Sequence, residues 1–149
     1  MFQGNSILNK LKNSIFLFVI IACSSPKQPL PVYGQKQINN QGQEIDHTVS
    51  DFNFVNQHNQ IITQDKYSNQ VYVADFFFTT CPTICPDMSS QLMRVQEAYS
   101  DVSDFMIVSH SVTPKIDSPS VLKAYAELYD ANPKQWVFLT GDKKVIYDL

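Results

Sequence analysis

VYVADFFFTTCPTICPDM, residues 71–88, decides the fold. Residues 71–78 are apolar and rich in β formers, with Asp75 as the one charge. A strand buried on both faces reads this way, and such strands usually sit centrally in a sheet covered by helices. Cys81 and Cys85 follow at once, each with a proline behind it. Met88, Leu92, Val95 and Tyr99 then recur at helical spacing with polar residues between them, which predicts an amphipathic helix. The cysteines therefore stand where a strand hands over to a helix.

Outward from that junction the pattern repeats. Upstream, DFNFVNQHNQIIT alternates around an Asn-Gln-His-Asn turn and predicts a short hairpin. Downstream, residues 104–110 form a second apolar strand. SPSVLKAYAELYDANP predicts a helix with Ser118 as N-cap and Pro119 at the first helical position, ending near Asn132-Pro133. QWVFLT is a third strand, and GDKKVIYDL opens another helix with Asp142 as cap. Strand–helix–strand crossovers are almost always right-handed, so the expected architecture is α/β, with a central, mostly parallel sheet flanked by helices. Leu149 falls early in the last helix, so the C-terminal part of the fold is expected to be missing.

Composition narrows the function classes. The chain has 149 residues and a net charge of −3, which offers no basic face for nucleic acid. Lys10 and Lys12 precede an apolar run, Ile15 to Ala22, that is far shorter than the roughly 20 residues of a spanning helix. This is the layout of a secretory signal. Ile20-Ile21-Ala22-Cys23 resembles a bacterial lipobox, in which the chain is cut before the cysteine and the sulfur carries lipid; the alternative is an uncleaved anchor with an idle thiol. The polar segment after it, with three prolines, reads as a linker. The expected organisation is a lipoprotein signal peptide (1–22), a flexible tether (23–45) and one domain (46–149). The mature protein is expected in the cell envelope, anchored to the membrane through lipid on Cys23 and facing the periplasm. Disulfides persist there, and Cys81 and Cys85 are then the remaining pair.

Their position suits chemistry. Sites in open α/β sheets form outside the carboxyl ends of the strands. A helix N-terminus stabilises a thiolate, which is both the nucleophile and the metal ligand. Pro86 fits the first position of the regular helix with Cys85 at its cap, and Pro82 fits a tighter preceding turn. The sulfurs then share one turn, close enough to bridge or to grip an ion. Two thiolates favour Cu(I) or Zn but are too few for a closed zinc site. Buried structural thiols or a static disulfide are the alternatives.

DFFFTTCPTICPDMSSQL resembles the Sco/SenC family, whose Cys-Pro-x-x-Cys-Pro core it carries; the spacing separates it from the thioredoxin motif. SHSVTPKIDSPSVLKAYAELY is similar to that family's next segment, with Thr113 where an Asp is usual, and FLTGD also fits. The resemblance covers residues 46–149. It implies a thioredoxin-like fold, a membrane anchor, and a copper ion bound by two cysteines and a histidine. It also implies a role in building the dinuclear copper centre of cytochrome c oxidase, whose copper-bearing subunit becomes the expected partner. Cys81 and Cys85 become the metal ligands, and also a redox pair able to form a disulfide. The family's histidine lies well beyond FLTGD, past Leu149.

Within the chain, His110 ends the second strand and is a candidate third ligand; His47 and His58 are weaker ones. Asp75 departs from the apolar or aromatic residue frequent in the family. Buried in a strand, its carboxyl is a candidate proton acceptor for a cysteine, the alternative being an Asp satisfied by neighbouring backbone or a solvent gap. The leading function is a copper-binding chaperone for the oxidase, which is not an enzyme. The alternative is a thiol-disulfide oxidoreductase acting on cysteines of the oxidase subunit or of other exported proteins. A peroxiredoxin-like peroxidase would need an arginine by the thiol, and the nearest is Arg94.

Overall fold

The computed structural model describes residues 29–149; the expected signal peptide and Cys23 lie outside the described residues. Two compact units divide between His47 and Thr48. In the first, β1 (Gln37–Ile38) and β2 (Glu44–Ile45) pair antiparallel. Their turn is held by the Asn39 side chain, whose Oδ1 accepts the backbone N–H groups of Gln41 and Gln43, both at 2.9 Å. This hairpin falls inside the segment read as a tether.

The second unit runs β3 (Asn53–Asn56), β4 (Ile61–Thr63), a 3-10 turn (Gln64–Tyr67), β5 (Val71–Phe77), α1 (Ile84–Ala98), β6 (Phe105–Ser111), α2 (Pro119–Leu128), β7 (Trp136–Thr140) and α3 (Lys143–Tyr147). One sheet orders the strands β4-β3-β7-β6-β5. β5, β6 and β7 are parallel, as the crossovers require, while β3 is antiparallel to both β4 and β7. The result is the α/β sheet with flanking helices that the residue pattern predicts.

Alternation along the strands builds two apolar layers. Phe77, Phe105, Ile107, Trp136 and Phe138 pack with Leu92 of α1 and with Leu122 and Tyr125 of α2. On the other face Phe54, Met106, Val108, Val137 and Leu139 pack with Ile62, Tyr67 and Ile146. β6 is buried along its whole length, and so is β7.

β5 is a correction. The apolar run predicted a central strand buried on both faces, but β5 pairs with β6 alone and lies at the edge among the described residues. Val71, Val73 and Phe76 are exposed. An apolar run records what its side chains avoid, not which neighbours cover them. β6, whose sequence is no more apolar, is interior because both β5 and β7 pair with it, and β7 takes the central place between β3 and β6.

The caps of α2 and α3 match expectation: Ser118 Oγ accepts the Val121 N–H at 3.5 Å and Asp142 Oδ1 accepts the Val145 N–H at 3.1 Å. A further tie was not visible in the sequence. β3 meets β7 over only two residue pairs, and the buried Gln57 side chain continues the ladder. Its Oε1 accepts the Phe138 N–H at 3.0 Å and its Nε2 donates to the Trp136 carbonyl at 3.4 Å.

Candidate thiol site

β5 ends at Phe77, where its carbonyl accepts the Val112 N–H at 2.9 Å from the exit of β6. A tight turn follows, closed by the Cys81 N–H donating to the Phe78 carbonyl at 3.2 Å. α1 then begins at Ile84 with Thr83 as its cap residue, so Cys85 and Pro86 lie inside the first turn. The expected start at Pro86 is thus corrected by two residues. The physical reason is that the first four N–H groups of a helix have no partner within it, so a proline there removes nothing.

Thr83 makes no side-chain cap. Cys81 supplies one instead: its sulfur accepts the Cys85 backbone N–H at 3.4 Å. Cys81 and Cys85 are both buried and both free thiols. The Cys85 thiol hydrogen bond, followed by the backbone N–H groups of Thr83 and Cys85, lowers the Cys81 pKa to about 7. Burial raises Cys85 instead, and its bond to Cys81 adds to the rise. One turn therefore holds a thiol that ionises near neutrality beside one that keeps its proton.

Asp75 lies near enough for its charge to raise Cys85 as well. Burial lifts the Asp75 carboxyl to about 6, and a hydrogen bond from Ser109 moderates the rise. Ser109 Oγ in turn accepts the indole N–H of Trp136 at 2.8 Å. Neither Ser109 nor Trp136 was singled out in the sequence. The usable signal was register, since Ser109 and Asp75 are direct partners across the parallel pair.

Within the second unit, the candidate histidines His110 and His58 do not join the cysteines. His110 is two residues from Val108 and shares its face, opposite the cysteine layer. Its ring sits among Phe52, Phe54 and Phe76 at centroid distances of 5.5, 5.8 and 5.4 Å. Burial drives its pKa down to about 4, and Nδ1 has no partner among the described residues. The strand runs one residue past His110, to Ser111, and the two-residue period sends the ring to the face away from the cysteines. His58 occupies the exposed β3–β4 turn, and His47 belongs to the first compact unit. Arg94 is exposed and donates to Gln91 at 2.9 Å. Among the described residues no three His, Cys, Asp or Glu side chains gather as a metal-binding group, and no helix is long and apolar enough to cross a membrane.

The SCO1/SenC family model matches residues 40–149. A SCO1/SenC family lipoprotein from Bacillus anthracis is 32% identical, with a TM-score of 0.63, over 67% of this chain and 61% of that one. BsSco, a Sco-family cytochrome c oxidase assembly protein in which a disulfide switch was identified, is 35% identical with a TM-score of 0.62, over 67% and 59% of the two chains. Arabidopsis thaliana ScoI, solved with copper bound, is 25% identical with a TM-score of 0.58, over 67% and 62%. The chain spans 51% of the Bacillus subtilis SCO1 protein homolog, to which it is 36% identical over 98 residues, covering 65% of this chain.

Proposed function

Because this chain belongs to the SCO1/SenC family, we propose that Cys81 and Cys85 hold Cu(I) as cargo for the copper-bearing subunit of a cytochrome c oxidase. The observation that carries the reading is the shared turn: Cys81 Sγ accepts the Cys85 N–H at 3.4 Å, and both cysteines are buried free thiols. Two adjacent sulfurs, one ionising near pH 7, form a soft donor pair that suits Cu(I). The copper-bound ScoI of Arabidopsis supports the same assignment. Copper supplies no catalysis here; the protein's part is to keep two sulfurs together, shielded by apolar side chains. Lipid on Cys23 would hold the domain at the periplasmic face of a membrane. The test is titration of Cu(I) against a chromophoric chelator. One ion per chain is expected for the native protein, and the double variant Cys81→Ser, Cys85→Ser is expected to bind none; stoichiometric binding that survives both changes would sink the reading.

A second reading, thiol-disulfide exchange, is favoured by the split between the two thiols. The Cys81 thiolate attacks a partner disulfide and releases one partner thiolate. Cys85 then loses its proton, attacks Cys81 sulfur and expels the second thiolate. Two electrons leave this pair, which closes as a disulfide, and the partner becomes a dithiol. Asp75, with its raised pKa, is the group beside Cys85 fitted to take that proton. The disulfide switch of BsSco supports this chemistry. The two readings are compatible, because copper binding requires reduced thiols.

A further inference from the structure

We propose that Asp117 is a positioning residue for the cysteine turn, a carboxylate latch that holds Thr79 and so fixes where Cys81 stands. The inference rests on the reading that the Cys81/Cys85 pair is the working site. Asp117 is 0% exposed. Its Oδ1 accepts the Thr79 hydroxyl at 2.5 Å. Its Oδ2 accepts the Ser111 hydroxyl at 2.5 Å, the Thr113 hydroxyl at 2.8 Å and the Thr79 backbone N–H at 3.3 Å. Every partner is a neutral donor, and none is a cation. Burying a carboxylate is costly unless its lone pairs are satisfied, and here four donors converge to satisfy them.

The donors come from two chain segments that the fold brings together. Thr79 lies two residues before Cys81, on the exit of β5. Ser111 and Thr113 lie at the exit of β6, and Asp117 itself precedes Ser118, the cap of α2. The latch thus ties the start of the cysteine turn to a strand buried along its whole length. Cys81 sulfur accepts the Cys85 N–H at 3.4 Å, a contact made to the reduced sulfur that depends on where the turn after Thr79 places it. Loosening the latch removes stabilisation from the reduced pair and tilts the balance toward the disulfide.

Thr79→Val tests this without emptying the carboxylate of partners. It deletes one hydroxyl and leaves the Ser111, Thr113 and backbone bonds in place. The readout is the equilibrium constant of the Cys81–Cys85 pair against a dithiothreitol buffer, together with the rate of Cys81 alkylation by iodoacetamide at neutral pH. The disulfide is expected to gain about tenfold, equivalent to a potential lower by about 30 mV, and alkylation to slow several-fold. Asp117→Asn should shift both in the same direction and further. Gln57→Ala, which weakens the distant β3–β7 seam, should lower the melting temperature and move neither. The latch is overturned if Thr79→Val moves neither readout, or if Gln57→Ala moves both as much. If the native pair forms no disulfide, the exchange reading fails, and the alkylation rate alone then decides the latch.

Discussion

Ser109 donates its hydroxyl hydrogen to Asp75 at 2.5 Å across the parallel β5–β6 pair. The bond spans the edge strand and its neighbour, and through the indole N–H of Trp136 it reaches β7. A carboxyl that burial pushes toward neutrality is thus wired to the sheet's interior, close to the more protonated of the two cysteines.

That placement sets a pH dependence. Asp75 has a folded pKa of about 6 against an ordinary 3.8. The fold prefers the neutral acid, so this stability is present below the unfolded pKa and is lost as pH rises through the folded one. Asp75→Asn should remove the loss and raise stability near pH 7 by up to about 3 kcal/mol. Chemical denaturation at pH 4 and pH 7 checks it, and an Asn variant with an unchanged pH slope refutes it. The same variant should slow closure of the Cys81–Cys85 disulfide if Asp75 takes the Cys85 proton.

His110 carries the opposite sign. Its folded pKa of about 4 lies below the ordinary 6.5. Its contribution is present above pH 6.5 and is lost as pH falls toward 4, because the unfolded chain takes up the proton first. His110→Phe should abolish that loss while leaving Cu(I) stoichiometry unchanged, since the ring is on the other face of the sheet. A loss of copper with this variant would contradict the geometry.

The thiols should be separable by reactivity. With Cys81 near pKa 7 and Cys85 raised, iodoacetamide at neutral pH should label Cys81 first, as peptide mass analysis would reveal. Cys85→Ala removes the thiol donor, and the Cys81 pKa should then climb toward the ordinary value of about 8.5. Equal labelling of both cysteines would count against the split.

Gln57 offers a test of the fold apart from the site. Its truncation to Ala leaves the Phe138 N–H and the Trp136 carbonyl without these partners in a buried strand. A cost of about 1–3 kcal/mol is expected, read as a lower urea midpoint with little change in slope.

The junction at Cys81 was readable because it is local. A strand-forming run, a cysteine pair and a helical period lie in one continuous stretch, so the turn and thiol placement follow from neighbours in sequence, although the helix starts two residues before the expected Pro86. Ser118 and Asp142 were legible for the same reason: a cap bonds to an N–H three residues away. Asp75 stood out as a charge in an apolar run, but its partner Ser109 required the register of β5 against β6.

The sequence by itself determined the order of elements and the two sulfurs on one turn, since each depends on contacts within a few residues, and the strand–helix–strand order implied the parallel crossovers through their right-handedness. Tertiary structure alone decided that β5 lies at an edge, that His110 faces away from the cysteines, that Gln57 completes the β7 ladder, and that Asp117 gathers Thr79, Ser111 and Thr113. These depend on which strands pair and which face each side chain takes. A one-residue change of register would reverse the faces, and no local pattern specifies which strand becomes a neighbour.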